Sequence, residues 1–157
     1  MINFLYRILH PRKVQLSEKY SHLEYWVKSL PVRWKNNEGL VIHNRRNELR
    51  CFTFLNVDMV VKSFEIPNFI NRLVYGVFRK SKAQRSYEYA EKLNSLGIKS
   101  PTQIAYYTER CGLLFSHSYY VSKKSNCRYT FYDVIDNPAL ENRDLYLCCV
   151  GRMTAKM

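Results

Sequence analysis

Apolar and polar positions along this chain alternate or recur with a period that changes several times. Glu48-Leu49-Arg50-Cys51-Phe52-Thr53-Phe54 alternates polar with apolar, the mark of a strand with one buried face. Gly39-Leu40-Val41-Ile42-His43 is a short β-rich run ahead of it, and polar Asn44-Arg45-Arg46-Asn47 lies between, which predicts an antiparallel hairpin with a basic tip. Asn56-Val57-Asp58 then turns the chain into Met59 to Phe64, the third strand of a meander. Beyond Pro67, the residues Phe69, Ile70, Leu73, Val74, Val77 and Phe78 fall at steps of three and four, which predicts an amphipathic helix. Ser81 suits an N-cap, and Tyr87, Ala90, Leu93 and Leu96 resume helical spacing until Gly97. Gln103 to Thr108 and Leu113 to Ser122, joined around Arg110-Cys111-Gly112, predict a second hairpin.

The flanks are less regular. Tyr20 to Leu30 carries Leu23, Tyr25, Trp26, Val27 and Leu30 at spacings that suit a short helix ended by Pro31, and polar Pro11 to Lys19 reads as irregular. Lys123 to Arg128 reads as a basic linker and Tyr129 to Ile135 as a short aromatic-rich segment. Asp136-Asn137-Pro138 opens a last helix with Leu145, Cys148, Cys149 and Met153 on one side. The expected fold is α+β: a five-stranded antiparallel sheet, a helical insertion after strand three, and a C-terminal helix. Residues 1–36 form a leader that packs on the lobe, residues 37–122 the lobe itself, and residues 123–157 a linker and the start of a further unit. A helix that stops at Met157 without a cap predicts that chain is missing.

Charge narrows the range of partners. Lys and Arg number 25 against 13 Asp and Glu, a formal net charge of +12, which favours polyanions: nucleotides, nucleic acid or an anionic membrane face. The five cysteines lack CxxC spacing and include the adjacent pair Cys148-Cys149, which fits neither a disulfide framework nor a zinc site and points to a reducing cytoplasm. Met1 to Leu9 is apolar but broken by Arg7, and no run approaches the roughly 18 apolar residues of a transmembrane helix. The four histidines share no metal-ligand spacing.

Lys62 is the position that asks for chemistry. It interrupts the apolar run Met59-Val60-Val61, and a lysine buried there needs an anion, either a carboxylate from a neighbouring helix or a phosphate. The alternative is an edge lysine with its stem packed and its ammonium in water. For Glu88 the alternative is a helix-surface carboxylate paired with Arg85 or Lys92, and Glu91 lies nearly on the same face. The tyrosines at 87, 89, 106, 107, 119 and 120 are read as packing, with a base-stacking platform as the alternative.

Val60-Val61-Lys62 followed by a helix, Ser81 to Ala90, Leu96-Gly97-Ile98-Lys99-Ser100-Pro101 and Ser118-Tyr119-Tyr120-Val121-Ser122 together resemble the lipopolysaccharide core or Kdo kinase family, a bacterial branch of the protein-kinase-like fold related to RIO kinases. The resemblance runs from about Gly39 to Met157. It implies a kinase N-lobe in which Lys62 holds the α- and β-phosphates of ATP and Glu88 orients it. It further implies an adenine site between Val60 and Val41 or Ile42, phosphate contacts from Arg45 and Asn47, and a hinge at Tyr120, Val121, Ser122 and Lys123. The complete family transfers phosphate from ATP to a sugar of a lipopolysaccharide precursor at the cytoplasmic face of the inner membrane, with Mg2+ as cofactor.

The chain departs from the pattern in two places. His43-Asn44-Arg45-Arg46-Asn47 replaces a glycine-rich loop, and no HxD catalytic loop or later metal-binding aspartate occurs. Asn142-Arg143-Asp144-Leu145 imitates the HRDL loop, but Cys149 stands where its asparagine belongs. An ATP-binding lobe without the catalytic base or the magnesium ligands is therefore expected. The rival from another class is a non-catalytic, pseudokinase-like scaffold that binds partners or a second copy of itself through the exposed underside of the lobe. A basic nucleic-acid-binding domain is the reserve reading.

Overall fold

The computed structural model describes residues 11–66, 68 and 79–155. The run expected to be helical from Phe69 to Phe78, and the apolar start from Met1 to Leu9, lie outside these residues. The architecture is α+β, built on one antiparallel sheet of six strands. In chain order these are β1 (Arg12–Leu16), β2 (Leu40–Asn44), β3 (Asn47–Phe54), β4 (Val57–Phe64), β5 (Gln103–Cys111) and β6 (Leu114–Lys123). In space they run β1-β5-β6-β4-β3-β2. The helices are α1 (Glu24–Lys28), α2 (Leu30–Lys35), α3 (Lys82–Ser95), α4 (Phe131–Asp136) and α5 (Arg143–Thr154), with a 3-10 turn at Glu18–Leu23.

Both expected hairpins form. Phe54 faces Val57 across a two-residue turn at Leu55 and Asn56, whose φ angles of 48° and 60° match the twist of the flanking strands. The turn therefore falls one residue earlier than Asn56-Val57-Asp58.

The sixth strand is the correction. Arg12–Leu16 is not irregular: Val14 pairs with Tyr107 and Gln15 with Tyr106, and Val14 and Leu16 pack on the main core. Pro31 also acts differently from the expectation. It sits in the first turn of α2, where its missing N–H has no intrahelical partner to lose, so it starts a second helix after Ser29 instead of only ending the first.

Two layers cover the sheet. On one face Leu23, Trp26, Val27 and Leu30 from the N-terminal turns pack with Met59, Val61, Tyr107, Tyr119 and Val121. Each such side chain contributes roughly 1.5–3 kcal/mol by leaving water. Arg50 is buried on this side: Nε donates to Glu48 Oε1 at 2.8 Å, Nη1 to the Glu38 carbonyl at 3.0 Å, and the guanidinium lies 4.3 Å from the Trp34 ring. The other face carries Phe64 and Tyr106, covered by Ala83 and Tyr87 of α3.

Helix α3 starts as its sequence predicts, with the Ser81 hydroxyl accepting the Gln84 N–H at 3.0 Å. It ends on Gly97 at φ +71°, where Ile98 N–H reaches the Leu93 carbonyl at 2.9 Å and the Ile98 side chain is buried.

The C-terminal region differs from its expectation. Tyr129 to Ile135 contains a helix, α4, begun by a reciprocal Thr130–Asp133 capping box. The last helix begins at Arg143, after Asn142 at φ 59°, and none of its residues is buried. Among the described residues no helix is long and apolar enough to cross a membrane.

Candidate functional site

Register places the lysine. Lys62 lies opposite Leu49 on β3 and Tyr120 on β6, and Tyr120 lies opposite Tyr106 on β5. Directly opposed residues share a face, so these side chains form one row. Because Phe64, Tyr106 and Tyr120 pack with α3, the row lies on the α3 side of the sheet. Val60 and Ser122 make the next row on that side, together with Cys51 and Leu40. Val121 belongs to the opposite face and is fully buried in the main core.

Lys62 is thus on a central strand, flanked by β3 and β6, and is half-buried. Its Nζ stands 5.3 Å from the centroid of the Phe64 ring, close enough for attraction to the π face. Among the described residues no ion pair joins it to Glu88 or Glu91.

Glu88 is engaged elsewhere. Lys80 Nζ donates to both of its carboxylate oxygens at 2.9 Å, and Gln84 Nε2 donates to Oε1 at 2.9 Å. These bonds, Lys80 first, hold its carboxyl below the usual glutamate value. Glu91 is exposed and interacts with the Tyr87 hydroxyl, whose pKa is pushed up to about 12 by burial first and then by that carboxylate. Tyr87 also meets Tyr106 edge to face at 5.5 Å. A layer of tyrosines therefore underlies the part of α3 that the sequence reading aims at Lys62.

The other residues divide. Val41 pairs with Arg50, on the face turned away from Lys62, because a bulge between Val41 and His43 shifts the register; Leu40 and His43 are the β2 residues on the lysine side. Arg45 is exposed at the hairpin tip, and its neighbour Arg46 reaches Glu65 at 3.9 Å. Asn47 lies opposite Phe64, and its Oδ1 is buried with no hydrogen-bond partner among the described residues, an acceptor on the same face.

Tyr120, Val121 and Ser122 lie within a strand paired on both sides, with Lys62, Val61 and Val60 on β4 and with Tyr106, Ala105 and Gln103 on β5. Their main-chain groups are committed to the two ladders, so they cannot also pair with the edge of a base. Lys123 and Lys124 extend this commitment by donating to the carbonyls of Thr102 and Asp58 at 2.8 and 2.9 Å. Main chain free of the ladder begins at Ser125.

Among the described residues no group of three or more His, Cys, Asp or Glu side chains could hold a metal ion. The arrangement offers half-buried Lys62 on an apolar, tyrosine-rich face together with, among the described residues, a buried Asn47 Oδ1 and a buried Arg85 Nε that lack hydrogen-bond partners. Lys80 is the residue that sequence reasoning missed. It precedes the helix and pairs with a residue eight positions on, a separation that no helical or strand period marks.

No protein-family model matches the chain, and no curated protein matches it. Among solved structures the chain is similar to one described as WaaP in complex with acyl carrier protein, at 15% identity and a TM-score of 0.45, over 73% of this chain and 42% of that one. The chain thus spans less than half the length of that neighbour.

Proposed function

We propose that the chain is a nucleotide-binding lobe of the protein-kinase-like type, in which Lys62 meets the polyphosphate of ATP. The observation that carries this reading is the position of Lys62: half-buried, on a central strand, on the α3 side of the sheet, with Val60 two residues behind it. A strand-borne lysine facing a helix inserted after that strand is the arrangement that the kinase mechanism uses to hold α- and β-phosphates. Glu88 in this reading leaves Lys80 and turns to Lys62 when nucleotide binds. Leu40 takes the role expected of Val41 above the base.

In this reading the chain contributes nucleotide binding, and its sequence carries neither the HxD loop nor the later metal-binding aspartate that transfer uses. In a complete protein of this type the acceptor would be a sugar of a lipopolysaccharide precursor, and the net charge of +12 suits such an anion at a membrane face. A second reading, a partner-binding scaffold, is favoured by the exposed Phe131, Tyr132, Ile135 and Leu145 of α4 and α5.

Calorimetric titration with ATP, with and without magnesium, tests the first reading against Lys62→Ala. A charge-assisted contact of about 1.5–3 kcal/mol predicts a loss of about ten- to a hundredfold in affinity. Unchanged affinity in Lys62→Ala removes the lysine from the site, and absence of ATP binding in the parent chain leaves the scaffold reading in its place.

A further inference from the structure

We propose that the cleft where β5 begins and β6 ends is a second, separate anion site that takes a phosphate-bearing ligand through Lys99, Lys123 and Lys124. The cleft has a volume of about 440 Å³ and is lined by those three lysines together with Ser100, Ser125 and Cys127, among others. No carboxylate occurs among its described lining residues. None of the three ammonium groups enters an ion pair among the described residues. Most basic side chains on a protein surface are interspersed with acids, so three lysines lining one concavity with no carboxylate among its described lining residues give it a positive potential that favours an anion.

The main chain holds together the segments that carry these lysines. Lys123 N–H donates to the Thr102 carbonyl at 2.8 Å and Lys124 N–H to the Asp58 carbonyl at 2.9 Å, tying the end of β6 to the segment that enters β5 and to β4. The Ser125 hydroxyl, now 2.8 Å from Cys127 Sγ, can turn to donate a directional bond to a phosphate oxygen, whereas the Ser100 hydroxyl already donates to Asn94 Oδ1 at 3.3 Å. The cleft is not the Lys62 site. Asp58, beside Lys124, lies four residues from Lys62 along β4, about 13 Å at about 3.3 Å per residue. The inference therefore stands whether or not the lobe binds ATP.

Cys127 supplies a local reporter. It lines the cleft, is exposed, and has its Sγ 2.8 Å from Ser125 Oγ, whereas exposed Cys111 lies at the far end of β5. The test is alkylation of the full chain by iodoacetamide, followed by peptide mass mapping, with inorganic pyrophosphate as the probe and calorimetry in parallel. Pyrophosphate is expected to slow modification of Cys127 and leave Cys111 unchanged. Each of Lys99→Gln, Lys123→Gln and Lys124→Gln is expected to weaken binding about fivefold at low salt, the effect of one charge contact near water. Lys35→Gln is expected to leave it intact, and in Lys62→Ala pyrophosphate is expected still to protect Cys127.

Vesicles of phosphatidylcholine carrying phosphatidic acid separate two sources of the same chemistry. Protection of Cys127 by vesicles, reversed by pyrophosphate, identifies a lipid headgroup, and protection by pyrophosphate alone identifies a free phosphate compound. The proposal is overturned if pyrophosphate fails to protect Cys127, if the three lysine variants bind as the parent does, or if Lys62→Ala abolishes the protection.

Discussion

Arg50 is the residue whose loss the fold should tolerate least. It is 4% exposed and surrounded on every side: Glu48 Oε1 at 2.8 Å, the Glu38 carbonyl at 3.0 Å, Asn37 Oδ1 at 3.4 Å and the Trp34 ring at 4.3 Å. Trp34 Nε1 in turn donates to the other oxygen of Glu48 at 3.0 Å, so one carboxylate joins the sheet to α2. Arg50→Ala deletes the cation and leaves that carboxylate, with 22% of its side chain exposed, short of its main partner. Breaking a buried pair from one side costs about 3–5 kcal/mol, and partial access of water to Glu48 places this case near the lower end, about 3 kcal/mol. Arg50→Lys retains the charge but loses the planar stack and the divergent donors, with an expected cost of about 1–2 kcal/mol. Urea unfolding followed by circular dichroism measures both, with Arg46→Ala as reference because its contact to Glu65 is 3.9 Å long and solvent-exposed. The reference should change stability by less than about 0.5 kcal/mol. If Arg50→Ala shifts the midpoint no more than Arg46→Ala does, the cluster is not what holds α2 to the sheet.

Three further outcomes follow from the α3 side. Ser81→Ala removes the hydroxyl that accepts the Gln84 N–H and should cost about 1 kcal/mol in the same assay, with Ser81→Asp restoring it. Lys80→Ala releases Glu88 from its present partner; because such exposed pairs contribute only about 0–1 kcal/mol, ATP affinity should rise by up to about fivefold, and a fall would contradict the exchange proposed for Glu88. Tyr87 and Tyr120 have pKa values raised to about 12, chiefly by burial, so the fold favours their neutral forms. Their contribution to stability is complete below the ordinary tyrosine value of about 10 and is lost as pH climbs toward about 12, which 13C NMR of the labelled phenol carbons would follow. Ionisation of Tyr120 near pH 10 in a protein that stays folded would refute that placement.

The sequence made the middle of the fold readable because its periods are long and clean there. Glu48 to Phe54 alternates over enough residues for face and register to follow, Leu113 to Ser122 is long and rich in β-favouring residues, and Ser81 and Gly97 bracket α3 with side chains that suit those positions. β1 lacked that length: in Arg12–Leu16 only Val14 and Leu16 carry the pattern, and the pairing with β5 supplies what local sequence does not. The helix at Phe131–Asp136 did carry a signal, Thr130 and Asp133 at capping-box spacing, masked by the aromatic content of the run.

At the candidate site, sequence marks Lys62 as the cation that interrupts an apolar run, and the register with β3 and β6 decides which side of β4 it occupies. The bulge after Val41 and the preference of Glu88 for Lys80 were not readable, since each depends on geometry that a single strand or helix pattern does not encode. Strand pattern alone does not show that β6 is paired on both sides, by β5 and by β4, which commits the main-chain groups of Tyr120, Val121 and Ser122 to the sheet.

The pairing of Arg12–Leu16 with Glu109–Ala105 shields the stretch from Ala105 to Tyr107, where every residue is buried. A variant trimmed to begin at Ser17 would bare that stretch along a row of unsatisfied amides and carbonyls. Such a template recruits other copies strand by strand, so the shortened protein should aggregate during expression and refolding even though nothing near Lys62 has been removed.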